Sequence, residues 1–147
     1  MKKAIVLAML MFVVVEVTFA GVWENTKKFQ AYKATKAEAV KAEEAGNTTT
    51  AVAKYLEAAS MANKGAIPVI EGWQYNNAAY VLIKLHKTTK EHSLLVEAMT
   101  YLTDAKAIVD ELIKKAEGDK VEPNVEVLDL KNKVERNIDY CKTWLGI

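Results

Sequence analysis

Cysteine, proline, glycine and arginine are all scarce in this sequence. Its 147 residues include one Cys, two Pro and six Gly, which excludes a collagen-like or disulfide-rich chain and argues against disorder. Because Cys141 has no second cysteine to pair with, the monomer can form no disulfide and cannot attach haem through paired thiols. Arg136 is the sole arginine, and the 20 basic residues are balanced by 19 acidic ones. We therefore expect no nucleic-acid-binding surface.

The abundant residues indicate helices. Hydrophobic residues make up 51% of the chain, which is enough for one ordinary core at this length. Ala, Lys, Glu, Leu and Val dominate, and β-branched residues do not alternate with polar ones. The composition predicts a single all-α domain.

Residues 1–20 have the layout of a secretory signal peptide. Two lysines precede an apolar run at 4–15, and Thr18 and Ala20 fit the pattern of a cleavage site. A membrane anchor is the alternative, but a span needs roughly 20 apolar residues, and Glu16 interrupts this run. We expect an exported bacterial protein, periplasmic or secreted, with no stable membrane anchor after cleavage.

Cleavage after Ala20 would leave a mature domain at 21–147. It would remove two of the 20 basic and one of the 19 acidic side chains, which leaves 18 of each sign. The mature domain would therefore be formally neutral, which again argues against a polyanion as its partner.

Apolar periodicity and helix-stopping residues predict five helices in the mature domain. The expected spans are 22–45, 48–64, 67 to 85 or 87, a fourth helix that ends at 118, and 124–146. The fourth helix starts either after Thr88, which forms a capping box with Glu91, or after Ser93. Small residues lie on one face of the first helix: Ala31, Ala34, Ala42 and Ala45.

A pattern of Ala, large residue, Ala at offsets of four and three occurs twice. It comprises Ala51, Tyr55 and Ala58 in the second helix and Ala98, Leu102 and Ala105 in the fourth. The third helix adds a large, apolar, small, large order at Tyr75, Ala78, Ala79 and Leu82. Over 32–112 the chain thus resembles two tetratricopeptide repeats, whose paired antiparallel helices use small residues where they cross.

The resemblance implies a short right-handed α-solenoid of antiparallel helix pairs, with the fifth helix as a C-terminal cap. In the tetratricopeptide family, the first helix of each pair lines a concave groove that binds peptides. A repeat-like helix pair inside an ordinary helical bundle is the alternative fold.

The sequence offers no motif for catalysis or metal binding. His86 and His92 lie six residues apart across a predicted turn, and no further Cys or His completes a set of four ligands. We expect both histidines to be exposed loop residues. Adjacent acids such as Asp110 and Glu111 are typical of solvated helix faces. We therefore expect no enzymatic activity, no metal and no cofactor.

An amide and aromatic cluster in the third helix is the candidate binding face. Trp73, Asn76, Asn77 and Tyr80 are 3, 4 and 7 residues apart and share one side of a helix. The resemblance matches Asn77 to an amide of the family's carboxylate clamp and Lys36 to its basic residue, while Val40 replaces the other Asn. The predicted partner-binding residues are Lys36, Trp73, Asn76, Asn77, Tyr80 and Lys84.

Two other interpretations of this cluster remain open. Trp73 and Tyr80 could instead pack against the fifth helix. The positive charge of Lys36 and Lys84 would be partly offset by the nearby Glu43 and Glu44. The expected function is a protein-interaction module whose partner is another protein or a peptide. A helical carrier for a small apolar ligand is the alternative, and it requires an enclosed apolar cavity.

The signal peptide yields a first prediction. Exported protein should begin at Gly21, because the residues before it fit the rules for signal cleavage. The intact mass of protein recovered from the medium or periplasm measures this. Exported material that retains 1–20 and stays with membranes after a salt wash would contradict the prediction and indicate an anchor.

Overall fold

The computed structural model describes residues 26–147. Within them, 86% of residues are helical and there is no strand, so the all-α prediction is confirmed. The helices are α1 (Lys27–Glu44), α2 (Thr48–Lys64), α3 (Pro68–Thr89), α4 (His92–Gly118) and α5 (Val125–Leu145). The predicted signal peptide lies outside the described residues. None of the described helices is long and apolar enough to cross a membrane.

Side-chain oxygens cap the starts of three helices. Thr26 accepts a hydrogen bond from the backbone N–H of Phe29 at the start of α1, and Asn47 accepts one from Thr50 at the start of α2. Asn124 caps α5. In α2 the three threonines Thr48, Thr49 and Thr50 lie in the first turn, and Asn47 before them is the cap.

The fourth helix begins at neither of its predicted caps. α4 starts at His92, and Glu91 precedes it without a side-chain capping bond. Thr88 belongs to the last turn of α3, where its hydroxyl donates to the Leu85 carbonyl at 2.8 Å. The hydroxyl is engaged with its own helix, so it is not available to cap the next one.

A residue with left-handed backbone geometry follows each helix within two positions of its end. These residues are Gly46, Ala66, Lys90, Lys120 and Gly146, with φ between 56° and 73°. Gly65 and Gly118 keep φ out of this region, and Ala66 and Lys120 turn the chain instead. A left-handed residue lets the following N–H reach back to carbonyls of the last turn, as Asn47 does to Ala42 at 2.8 Å.

α3 is the central helix of the fold. It packs against α2, α4 and α5, and α1 packs against α2. Buried side chains therefore occur on several sides of α3, among them Ala78, Leu82 and Ile83. A helix covered on several sides does not show the single apolar stripe of a surface helix, so the sequence of α3 does not mark one inward face.

Three helices run in the same direction. Contacts between α3 and α5 follow the chain order of both helices: Gly72 with Leu130, Asn76 with Asn137, and His86 with Tyr140. Contacts between α1 and α3 do the same: Tyr32 with Gln74 near the starts, and Glu43 with Lys84 near the ends. α2 and α4 are the return helices between them.

The buried face of α1 differs from the expected one. Ala31 and Ala34 are exposed, whereas Tyr32, Thr35 and Ala39 are buried. Because α1 packs mainly against one neighbour, it buries only a narrow stripe, and small alanines are tolerated on its solvent face. Alanine is apolar but too small to show by itself which face turns inward.

α5 approaches α3 closely at Gly72. A Cβ atom at this position would lie 2.7 Å from the Leu130 Cδ2 atom, so the absence of a side chain makes room for Leu130. Leu130 and Ala105 of α4 are 0% exposed, and Val134 of α5 is 1% exposed. Leu130 therefore packs directly on the central helix and anchors α5 there.

Two leucines of α5 provide a matched test of this anchor. Leu130 is 0% exposed and Leu128 is 39% exposed. Leu130→Ala should lower the free energy of unfolding by about 2–5 kcal/mol through lost contacts and a cavity. Leu128→Ala should change it by about 0.5 kcal/mol or less. Urea unfolding measures both, and equal losses would show that α5 is not anchored through Leu130.

Candidate binding groove

An open groove lies between α1, the beginning of α3 and the beginning of α5. Its volume is about 1270 Å³. From α1 it is lined by Phe29, Lys33, Lys36, Val40, Lys41 and Glu44. The other main lining residues are Ile67 in the turn before α3, Ile70, Trp73 and Gln74 of α3, and Glu126 and Asp129 of α5. Residues far apart in the sequence therefore form this surface.

The groove has an apolar floor where α1 meets the start of α3. Phe29, Ile67 and Ile70 pack around the buried Tyr32, and the rings of Phe29 and Tyr32 stack with centroids 6.0 Å apart. Trp73 is half-buried and also contacts the main core. This floor offers apolar and aromatic contacts to a bound chain.

Gln74 lies beneath the groove and is almost fully buried. Its Nε2 atom donates to the Tyr32 hydroxyl at 2.9 Å and to the Ile70 carbonyl at 3.3 Å. Because the Ile70 carbonyl can only accept a hydrogen bond, the NH2 group of the Gln74 amide must face it. The Gln74 Oε1 atom has no hydrogen-bond partner within residues 26–147. Gln74 is not among the six predicted binding residues, although it lies inside the amide and aromatic cluster, next to Trp73.

Two of the six predicted binding residues line the groove. They are Lys36 and Trp73. Asn77, Tyr80 and Lys84 follow Trp73 at intervals that keep them on the same face of α3, farther along the helix. They lie beyond the residues that line the groove.

Asn76 requires a correction. It is 4% exposed, and its Oδ1 atom accepts a hydrogen bond from Asn137 of α5 at 2.9 Å. The expectation that Asn76 faces the groove is therefore wrong, because it lies in the contact between α3 and α5. The spacing of three residues from Trp73 rotates Asn76 far enough around the helix to reach α5.

Lys84 belongs to a polar link between three helices. Glu43, at the end of α1, forms an ion pair with Lys84 of α3 and accepts a hydrogen bond from Tyr55 of α2 at 2.6 Å. Burial and this carboxylate raise the pKa of Tyr55. The Lys84 Nζ atom also lies 5.5 Å from the ring centroid of the exposed Tyr80. The expected offset of Lys84 by Glu43 is confirmed.

The histidines form a second polar cluster near the same end of α3, on the side that contacts α5. His86 is fully buried within α3, so the expectation of an exposed loop residue is wrong for it. Its Nδ1 atom lies 3.2 Å from the Tyr140 hydroxyl, and the rings of Tyr140, Trp144 and His92 meet it edge-on. The His86 Nε2 atom has no hydrogen-bond partner among the described residues.

Two lysines lie over the aromatic rings of this cluster. Lys87 Nζ lies 5.3 Å from the Tyr140 ring centroid, and Lys90 Nζ lies 5.0 Å from that of Trp144. Burial lowers the pKa of His86, and the nearby His92 and Lys90 lower it further. In the described part of the chain, no group of three or more His, Cys, Asp or Glu side chains is placed to hold a metal ion.

The buried imidazole makes stability pH-dependent. Because folding lowers the pKa of His86, the unfolded chain binds a proton more readily once the pH falls below about 6.5. The free energy of unfolding should therefore decrease from about pH 7 to about pH 5. His86→Leu should flatten this decrease, and His92→Gln, at an exposed position, should keep most of it. Urea unfolding at each pH measures the slopes, and equal slopes for His86→Leu and the unaltered protein would contradict the assignment.

Comparisons with known proteins identify no relative of this chain. No protein-family model, no curated protein and no solved structure matches it.

Proposed function

We propose that this chain is an exported, non-enzymatic protein-interaction module that binds an extended segment of a partner protein in the groove between α1, α3 and α5. The observation that carries the proposal is the groove itself, an open surface with an apolar floor and polar side chains around it. Such a surface suits an extended peptide, whose apolar side chains need a floor and whose backbone and charges need polar partners.

The packing of the helices supports a short tetratricopeptide-like solenoid. Each helix packs against the next one in the chain, and α3 also packs against α5, so the odd-numbered helices lie side by side. The repeated alanines of the sequence pattern are all fully buried: Ala51, Ala58, Ala98 and Ala105. Small residues at these positions allow close helix contacts, as the resemblance requires.

The shape of the groove favours a peptide over a small apolar ligand. A carrier needs a largely enclosed apolar pocket, whereas this groove is open and carries lysines and carboxylates. A small hydrophobic molecule would leave those charges without partners and would remain partly in water.

The sole cysteine of the chain does not line the groove. The one thiol, Cys141, is fully buried in α5, and burial raises its pKa to about 11. A thiol in that state is a poor nucleophile at neutral pH.

Two exposed valines allow a matched test of the groove. Val40 lines the groove and is 37% exposed, and Val96 of α4 lies outside it and is 59% exposed. Peptides selected from a phage-displayed random library on the mature protein should bind Val40→Gln about tenfold more weakly, since burying one such side chain contributes roughly 1.5 kcal/mol. They should bind Val96→Gln unchanged. Fluorescence anisotropy measures both affinities, and thermal unfolding should be the same for both variants.

Three outcomes would contradict the proposal. Equal binding to both variants would move the site away from the groove. A dimer that Val40→Gln dissociates would identify a second copy of the chain as the occupant. Saturable binding of an apolar dye that Val40→Gln abolishes, with no peptide recovered, would favour the carrier.

A further inference from the structure

We propose that the groove selects a peptide with segregated charges, whose acidic residues lie against α1 and whose basic residues lie against the start of α5. This inference rests on the proposed function and specifies the chemistry of its partner. It follows from how the charged side chains of the two walls are distributed and engaged.

The α1 wall is basic because two of the three acidic side chains of α1 form ion pairs with other helices. Lys33, Lys36 and Lys41 line the groove. The Glu38 carboxylate forms an ion pair with Lys54 of α2 at 2.8 Å. Glu43 is held by Lys84, which leaves Glu44 as the groove-lining acid of α1 in the described chain.

The α5 wall is acidic. Glu126 and Asp129 line the groove, and both are exposed. The first basic residue of α5 is Lys131, and it forms an ion pair with Glu135 of its own helix at 2.7 Å. Among the described residues, Lys133, four positions after Asp129, forms no ion pair with it within 4 Å, so the lysines of α5 do not neutralise the charge at its start.

The two walls lie on different sides of α3. Gly72 and Asn76 are four residues apart, share one face and contact α5. Gln74 is two residues from each and so lies on the other side, where it contacts Tyr32 of α1. Within residues 26–147, no groove-lining lysine forms an ion pair with Glu126 or Asp129 within 4 Å. The opposite charges face the groove without neutralising each other.

The spacing of the helices sets the length of the matching peptide. α5 packs directly on α3, so their axes are about 8–10 Å apart, whereas α1 packs on α2 and reaches α3 through longer side chains, so the two walls are roughly 20 Å apart. An extended chain rises about 3.3 Å per residue, so its acidic and basic groups lie roughly six positions apart. Apolar residues between them would lie over Ile70 and Trp73, which line the floor.

The probes are end-blocked peptides of one composition in two orders. The segregated peptide is Asp-Asp-Leu-Ala-Leu-Ala-Lys-Lys, and its isomer Asp-Lys-Leu-Ala-Leu-Ala-Asp-Lys alternates the charges. The segregated peptide should bind the mature protein at least about tenfold more tightly, as fluorescence anisotropy measures. Added salt should reduce the difference, because exposed charges are screened.

Reversing the charges of the two walls distinguishes a groove with one basic and one acidic wall from a groove that is simply basic. Lys33→Glu with Lys36→Glu, or Glu126→Lys with Asp129→Lys, should each weaken binding of the segregated peptide about tenfold. All four changes together should restore most of the affinity, because the peptide can then bind in the opposite direction. Lys114→Glu, at an exposed site on α4 outside the groove, should have no effect.

The outcomes distinguish this inference from the proposed function. If reversing Glu126 and Asp129 leaves binding unchanged or strengthens it, the groove is simply basic and the inference fails. If both isomers bind equally and Val40→Gln weakens both, the groove binds peptides without selecting their charge order. If neither isomer binds while library-selected peptides still require Val40, the inference fails and the proposed function stands.

Discussion

Polar side chains buried along α3 set the positions of its neighbours. The pairs are Gln74 with Tyr32 of α1, Asn76 with Asn137 of α5, and His86 with Tyr140 of α5. A buried polar group costs free energy unless it finds a partner, so α1 and α5 can slide along α3 only by breaking these contacts. Surfaces of Ala and Leu alone tolerate several packing arrangements. The polar pairs therefore favour one register of the three parallel helices.

The groove is a consequence of that register. Gln74 holds α1 on one side of α3, and Gly72 with Asn76 holds α5 on the other. The first turns of α3 between them, with Trp73 at the centre, remain uncovered by either helix and form the floor. Farther along α3, the link from Glu43 to Lys84 draws the end of α1 towards the central helix. The same contacts that stabilise the fold thus define where the groove begins and where its lining ends.

Composition conceals the electrostatic character of this surface. The whole chain is nearly neutral, with 20 basic and 19 acidic side chains, and bulk charge predicts no preference for any partner. Ion pairs to Lys54 and Lys84 engage two acids of α1, which leaves a basic wall opposite Glu126 and Asp129. The arrangement of charge depends on which side chains reach each other, and net charge carries no information about that.

The sequence by itself determined the all-α class and the approximate span of each described helix, because periodicity, caps and chain-turning residues act within a few neighbouring residues. In α4 the repeated pattern of Ala98, Leu102 and Ala105 also lies on the inward face, since all three side chains are fully buried. Only the tertiary structure decided that Asn76 pairs with α5 and that His86 is buried. Helical spacing shows which residues share a face, whereas the element that covers a face depends on contacts between distant parts of the chain.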